Sequence, residues 1–243
     1  MKKYLIILFC VVVSSIITAQ ELPKNIFGIR AGLNFSSIWQ YDQYRYYYTT
    51  GSRKGFSYGF AYQRLLTAST PLYLETGLYL SNKGFTQNVY AKYTIQGPNP
   101  IEEELYDFSK TNLSYLQIPI LLNYHFNVNS KIRIESFAGL YVAYGVGGKT
   151  KSINGTIEDG GIGYHNEIIK SFSSKGFNKI DLGFKFGIGA TLYNVYVGAG
   201  YEVGAIKSEG EYYEQDNGVN KYNKVVNKNW TIILGYNISL SKK

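Results

Sequence analysis

Apolar side chains recur at every second position in eight separate stretches of this chain. In 26–36, Phe27, Ile29, Ala31, Leu33 and Phe35 alternate with Gly28, Arg30, Gly32, Asn34 and Ser36. The same period of two returns in 55–65, 72–83, 113–126, 131–146, 177–192, 195–204 and 229–240. Strict alternation over this length predicts β-strands with one greasy and one polar face. Each stretch is long enough for the ~9–11 residues that a tilted strand needs to cross a bilayer. The connections alternate as well. Those at 67–70, 128–130 and 193–194 are short, whereas those at 39–54, 84–112, 147–176 and 205–228 are long. Tight turns on one rim and long loops on the other describe an up-and-down membrane barrel.

A soluble eight-stranded barrel alternates too, so the choice of outer face rests on what the polar positions contain. The outside of a soluble barrel is dense in Lys, Glu and Asp. Here the polar face is mostly Gly, Ser, Asn and Thr, with one or two charges per strand, which suits a crowded lumen. The apolar face carries almost no charge within the strands, as a lipid-facing band requires; Arg64 lies at a strand end, where it can snorkel. The expected fold is therefore all-β, an eight-stranded antiparallel up-and-down transmembrane β-barrel. Closure follows from physics, because hydrocarbon offers no water to an unpaired strand edge.

The 193–194 turn allows a test of register. A two-residue connection pairs Leu192 with Val195 and, working back, Lys185 with Glu202, Gly183 with Gly204, Gly187 with Gly200 and Gly189 with Gly198. A one-residue slip would lose all of these matches. The polar faces bring seven charges toward the axis: Arg30, Glu75, Arg133, Glu135, Asp181, Lys185 and Glu202. Burial requires that such charges be paired, and a structural ion-pair network is the expected reading.

Composition narrows the class. The 243 residues are 45% hydrophobic and only 17% charged, with 25 tyrosines. That excludes a disordered chain and a helical bundle. At the N-terminus Lys2 and Lys3 precede an apolar run, 4–13, and a small-residue stretch ending at Ala19, the pattern of a cleaved Sec signal peptide over 1–19. Residues 20–243 then form one barrel domain. Cys10 falls within the signal, so the mature chain has no cysteine, and a net charge of +8 becomes +6 with Lys2 and Lys3 removed. The expected location is the bacterial outer membrane, with both chain ends on the periplasmic side.

The run Tyr115-Leu116-Gln117-Ile118-Pro119 resembles the YLQIP-type motif of the PorT-type outer-membrane β-barrels of Bacteroidetes. The opening strand, Phe27-Gly28-Ile29-Arg30-Ala31-Gly32-Leu33-Asn34-Phe35, is similar to that family's first strand, and Asp181-Leu182-Gly183 with Gly187-Ile188-Gly189-Ala190 resembles a further segment. The resemblance spans essentially the whole mature chain, with Tyr115, Gln117 and Pro119 as its signature strand. It implies a barrel of the cell envelope and, through the family's named member, a link to type IX protein secretion. The chain ends in Leu240-Ser241-Lys242-Lys243, whereas many such barrels end in an aromatic residue.

The candidate chemistry is sparse. The run 143–150 fits a relaxed P-loop spacing at Gly148-Lys149-Thr150, but no helical pattern follows to complete a phosphate cradle, so it reads as a glycine-rich strand exit. His125 reads as a lumen residue, and His165 lies in a long connection with Asp159 and Glu167 nearby. Neither comes with a nucleophile at a fixed spacing, and two histidines without cysteine make a poor transition-metal set. Glu102, Glu103, Glu104 and Asp107 read as a solvated acidic segment rather than a divalent-ion site. Trp39 and Tyr41 suit the aromatic girdle, while Tyr44, Tyr46, Tyr47 and Tyr48 form a candidate recognition loop.

The chain is thus expected to be a non-enzymatic barrel with a structural or binding role, without cofactor or metal. Its expected partners are outer-membrane lipids, with envelope or secretion proteins as candidates and nucleic acid excluded. An accessory of a type IX-like secretion apparatus, a small-solute channel and an outer-membrane enzyme are the alternatives.

Overall fold

A computed structural model describes residues 22–41, 47–95, 101–158, 161–172, 177–206, 215–216, 219–220 and 224–240. Its strands are β1 (Asn25–Tyr41), β2 (Tyr47–Leu65), β3 (Leu72–Ile95), β4 (Ile101–Asn127), β5 (Ile132–Gly147), β6 (Lys149–Glu158), β7 (Gly161–Lys170), β8 (Ile180–Leu192), β9 (Val195–Gly204), β10 (Gln215–Asp216), β11 (Val219–Asn220) and β12 (Lys224–Leu240). Eight of them close on themselves in the order β1-β2-β3-β4-β5-β8-β9-β12, each antiparallel to both neighbours. The seam between first and last strands is continuous from Asn25 opposite Leu240 to Tyr41 opposite Lys224. A closed wall of this kind leaves no edge within the lipid.

The faces are sorted as a membrane barrel demands. Arg30, Asn34, Gln63, Glu135, Asp181 and Asn229 are buried inside, while Ile29, Phe60, Ile120, Ile188 and Leu234 are exposed outside. The tight turns, 66–71 and 128–131 with the two-residue link Tyr193–Asn194, share one rim with both ends of the barrel. Tyr193 adopts a left-handed φ of 56° to make the shortest of them. The turn sets the register of its hairpin: Leu192 faces Val195, Lys185 faces Glu202, and glycines meet at 183/204, 187/200 and 189/198.

The long connections are largely strand. β3 has 24 residues and β4 has 27, far more than a bilayer crossing needs, and they pair from Leu72/Tyr124 to Ile95/Ile101 with one two-residue gap at 77–78. In the third connection β6 and β7 form a hairpin that docks on β4 beyond the barrel, with Phe108 opposite Ile153 and Thr111 opposite Thr150. The chain passes from β5 to β6 at Gly148. A Cβ there would meet the Asn112 carbonyl oxygen at 2.3 Å, so only glycine allows the backbone this close. After Ala205, whose N–H bonds the Leu182 carbonyl, the small β10–β11 pair is the only strand pairing that the described residues show of the fourth connection before β12.

While strands such as β2, β3, β4 and β12 run beyond the expected stretches, one wall strand starts clearly later than expected. The sixth wall strand begins at Ile180, not at 177. Phe177 instead folds into the mouth of the lumen, its N–H bonded to the Ser171 carbonyl at 2.7 Å. There it joins Ile38, Phe85, Leu113, Tyr115, Tyr141 and Ala143 in an apolar cluster, with Phe172 packed alongside. Burying a ring against that cluster outweighs extending the strand by one turn of the pleat.

Candidate functional site

All seven charges singled out from the sequence lie inside the barrel, in three groups. Toward the short-turn rim, Glu75 accepts bonds from Gln63 and Asn123, both at 2.7 Å. The same two amides reach Glu135 at 3.2 Å. Glu135 also accepts from Thr191 at 2.8 Å and pairs with Arg133 at 3.3 Å. Two carboxylates are thus bridged by shared amide donors, with one arginine on the outer side of the pair.

Arg30 makes no ion pair within 4 Å among the described residues, but it lines the same small cavity as Glu75 and Glu202. Its guanidinium lies 4.0 Å from the centre of the Tyr196 ring, a cation–π contact in a desolvated setting. Tyr196 in turn lies against two glycines that face each other across β8 and β9. A Cβ on Gly189 would come within 2.4 Å of the tyrosine hydroxyl, and one on Gly198 within 2.5 Å. The glycine pairing read from the sequence therefore makes room for the ring that covers Arg30.

The third group gathers around Glu202. Lys185 bonds one carboxylate oxygen at 2.9 Å and Gln117 bonds it at 2.8 Å. Lys83 pairs with the other oxygen at 2.9 Å and lies 3.7 Å from Asp181. Asp181 is further held by Asn227 at 3.0 Å and Tyr141 at 3.3 Å. Sequence reasoning missed Lys83, which is buried 4.4 Å from the centre of the Tyr141 ring. The signal was present: Lys83 follows Glu75 and Ser81 at even spacing on β3, so it shares their inward face. With Lys83 counted, the described ionic set of the lumen is four cations, Arg30, Lys83, Arg133 and Lys185, against four anions, Glu75, Glu135, Asp181 and Glu202.

These side chains fill the bore. Tyr73, Tyr115, Tyr141, Phe85, His125 and Gln117 are almost completely buried. The cavity between them, lined by Arg30, Glu75, Tyr79, Lys185, Tyr196 and Glu202, measures about 30 Å³. That is room for about two water molecules. At the long-strand end the apolar cluster around Phe177 lies over the ion network.

The other candidates fall as follows. His125 stacks on Tyr73 at 4.1 Å and lies 3.5 Å from Glu135. His165 is on β7 opposite Asn154, outside the lumen. Gln117 and Tyr115 point inward, and Pro119 faces Tyr141. Pairing between β3 and β4 skips two positions there, and Pro119 has no N–H to donate. Asp107 accepts the Gly155 N–H at 2.8 Å. Glu102, Glu103 and Glu104 are in β4, opposite Thr94, Tyr93 and Lys92, but their side chains lie outside the described residues. Tyr47 and Tyr48 are paired with Tyr90 and Val89 through the backbone; their side chains, all of Tyr44 and Tyr46, Asp159 and the 1–19 segment also lie outside it. Among the described residues no group of three or more His, Cys, Asp or Glu is arranged to hold a metal ion.

The family model described as outer membrane protein beta-barrel domain matches residues 18–242. The chain belongs to that family. Its place is accordingly the outer membrane, in contact with outer-membrane lipids. No curated protein matches the sequence significantly. Similar solved structures include OprG of Pseudomonas aeruginosa, 13% identical over 92% of this chain and 100% of that one, with a TM-score of 0.42. Ail of Yersinia pestis, solved with a heparin analogue, is 13% identical over 88% and 99%, with a TM-score of 0.39. Neisserial surface protein A is 14% identical over 86% and 96%, with a TM-score of 0.38.

Proposed function

We propose that this outer-membrane barrel is a non-conducting scaffold that presents a binding surface outside the cell. In this reading the long strands point outward and both chain ends lie in the periplasm. The observation that carries it is the filled lumen. Four ion-paired or ring-covered cations, four anions and six large buried side chains leave a cavity of about 30 Å³, and an apolar cluster covers one end. What reaches beyond the barrel is sheet rather than bore: the outer parts of β3 and β4 with the β6–β7 hairpin, exposing Tyr106, Phe108, Ile153 and Tyr164.

A non-catalytic role belongs to the same reading. His125 is enclosed between Tyr73 and Glu135, and neither ring nitrogen bonds a hydroxyl among the described residues. The resemblance to PorT-type barrels rests on Tyr115, Gln117 and Pro119, which are wall residues. Residues that build the wall carry no partner, so the resemblance does not bring a secretion role to this barrel.

Planar-bilayer recording tests the central point. The purified mature chain is expected to give no conductance steps above baseline at 1 M salt, a strength chosen to make ion flux easy to see. Reproducible steps abolished by replacing Glu202 or Lys83 would show the lumen to be a pore and overturn the proposal.

A further inference from the structure

The outward face of the wall changes character at the rim away from the short turns. Where β4, β6 and β7 run side by side, Thr111 and Thr150 point inward, their hydroxyls 3.2 Å apart. Alternation then places Lys110, Lys149 and Lys151 on the outward face, with Lys170 beside them. All four are exposed. Lys110 lies directly opposite Lys151, and Lys149 directly opposite Lys170.

Directly opposed side chains on antiparallel strands have Cβ atoms roughly 4.5–5.5 Å apart, and like charges so placed are destabilising. Two such pairs on adjacent rows make a concentrated positive patch. Next to the four lysines no carboxylate shares this face among the described residues: Asp107 and Glu167 fall on the opposite parity, and Glu104 and Glu102, on Lys110's parity of β4, lie six and eight residues further along the strand. The lipid-facing band starts immediately below, with Leu116, Tyr144 and Val146 exposed. Lys54 and Lys228 stand on the same rim elsewhere around the wall, Lys228 4.9 Å from the centre of the Trp39 ring. Within the strands, Arg64 is the one described outward-facing cation at the other rim.

We infer that Lys110, Lys149, Lys151 and Lys170 form a binding site for the phosphate groups of a phosphorylated lipid in the leaflet around this rim. A phosphate oxygen accepts bonds from ammonium groups as a multiply charged anion. Two phosphates would relieve both like-charge pairs while the acyl chains lie on the apolar band below. Basic residues at a membrane surface each add measurably to the binding of anionic headgroups. The site depends on insertion of the barrel in a membrane and not on whether its lumen conducts.

The test compares the mature chain with Lys110→Gln/Lys151→Gln and with Lys131→Gln, a lysine on the opposite rim. Retention of a bis-phosphorylated glucosamine lipid and of the same lipid after dephosphorylation is read by native mass spectrometry. The wild type and Lys131→Gln are expected to keep the phosphorylated lipid, and the double variant to lose it by roughly tenfold or more. Urea unfolding gives an independent reading. In lipid-free detergent the double variant should be as stable as the wild type or more so, because repulsion has been removed. On adding the phosphorylated lipid the order should reverse.

Equal retention of both lipids, or equal retention by the double variant and the wild type, would overturn the assignment. So would full displacement of the lipid by millimolar inorganic phosphate, which would make this a site for free phosphate. A heat-dependent mobility shift on gels shows that each variant is folded before it is compared.

Discussion

Truncating Glu202 to alanine is expected to cost about 3–5 kcal/mol of stability, the range for a buried ion pair that loses one partner. The carboxylate holds two lysines at 2.9 Å each, Lys185 on one oxygen and Lys83 on the other. It also accepts from Gln117 at 2.8 Å. Its removal leaves Lys185 without a carboxylate partner among the described residues and Lys83 with Asp181 alone, 3.7 Å away. The cavity beside Glu202, about 30 Å³, has room for only about two water molecules to solvate the excess charge. Replacing Lys185 and Glu202 together by methionine leaves Lys83 and Asp181 as a balanced pair, so the double variant should recover much of the loss. Urea unfolding of refolded protein in detergent measures both changes. A Glu202→Ala midpoint equal to that of the wild type would mean that solvent reaches the network.

The second large effect belongs to the opposite face. Ile188 is 66% exposed near the middle of β8, with Phe186 and Ala190 on the same side. Arginine there would face hydrocarbon, at an expected cost of ~2–4 kcal/mol near the bilayer midplane. The same change at Leu240, the last residue of β12 and at the rim, should cost only ~0–1 kcal/mol. Equilibrium unfolding from phospholipid vesicles compares the two. Equal penalties at both positions would argue that no depth-dependent lipid environment surrounds the wall.

These effects follow from features that are readable in the sequence because a bilayer imposes them. A strand with lipid on one side and a packed lumen on the other must alternate, so β1, β4, β8 and β12 announce themselves. The two-residue link at Tyr193–Asn194 leaves little freedom, and the Lys185–Glu202 pairing follows from counting. Where the lipid ends, so does the signal. The outer halves of β2, β3 and β4 and the β6–β7 hairpin have polar surroundings on both faces, so Ser52, Arg53, Asn88 and Asn166 carry no period of two to mark them as strand. Lys83 was missed for a related reason. It sits where the apolar alternation fades, although its parity already placed it inside. Phe177 was misplaced because an isolated aromatic next to a strand reads as wall, and only the cluster of Phe85, Leu113 and Tyr115 draws it into the mouth.

The account depends on which side chains face lipid. Cysteines introduced singly from Thr231 to Ile238 and labelled with a nitroxide report this directly by oxygen accessibility in vesicles, since the one native cysteine is Cys10. The expected profile has a period of two, with high values at Ile232, Leu234, Tyr236 and Ile238 and low values at Thr231, Ile233, Gly235 and Asn237. The reverse phase, or a flat profile, would contradict it.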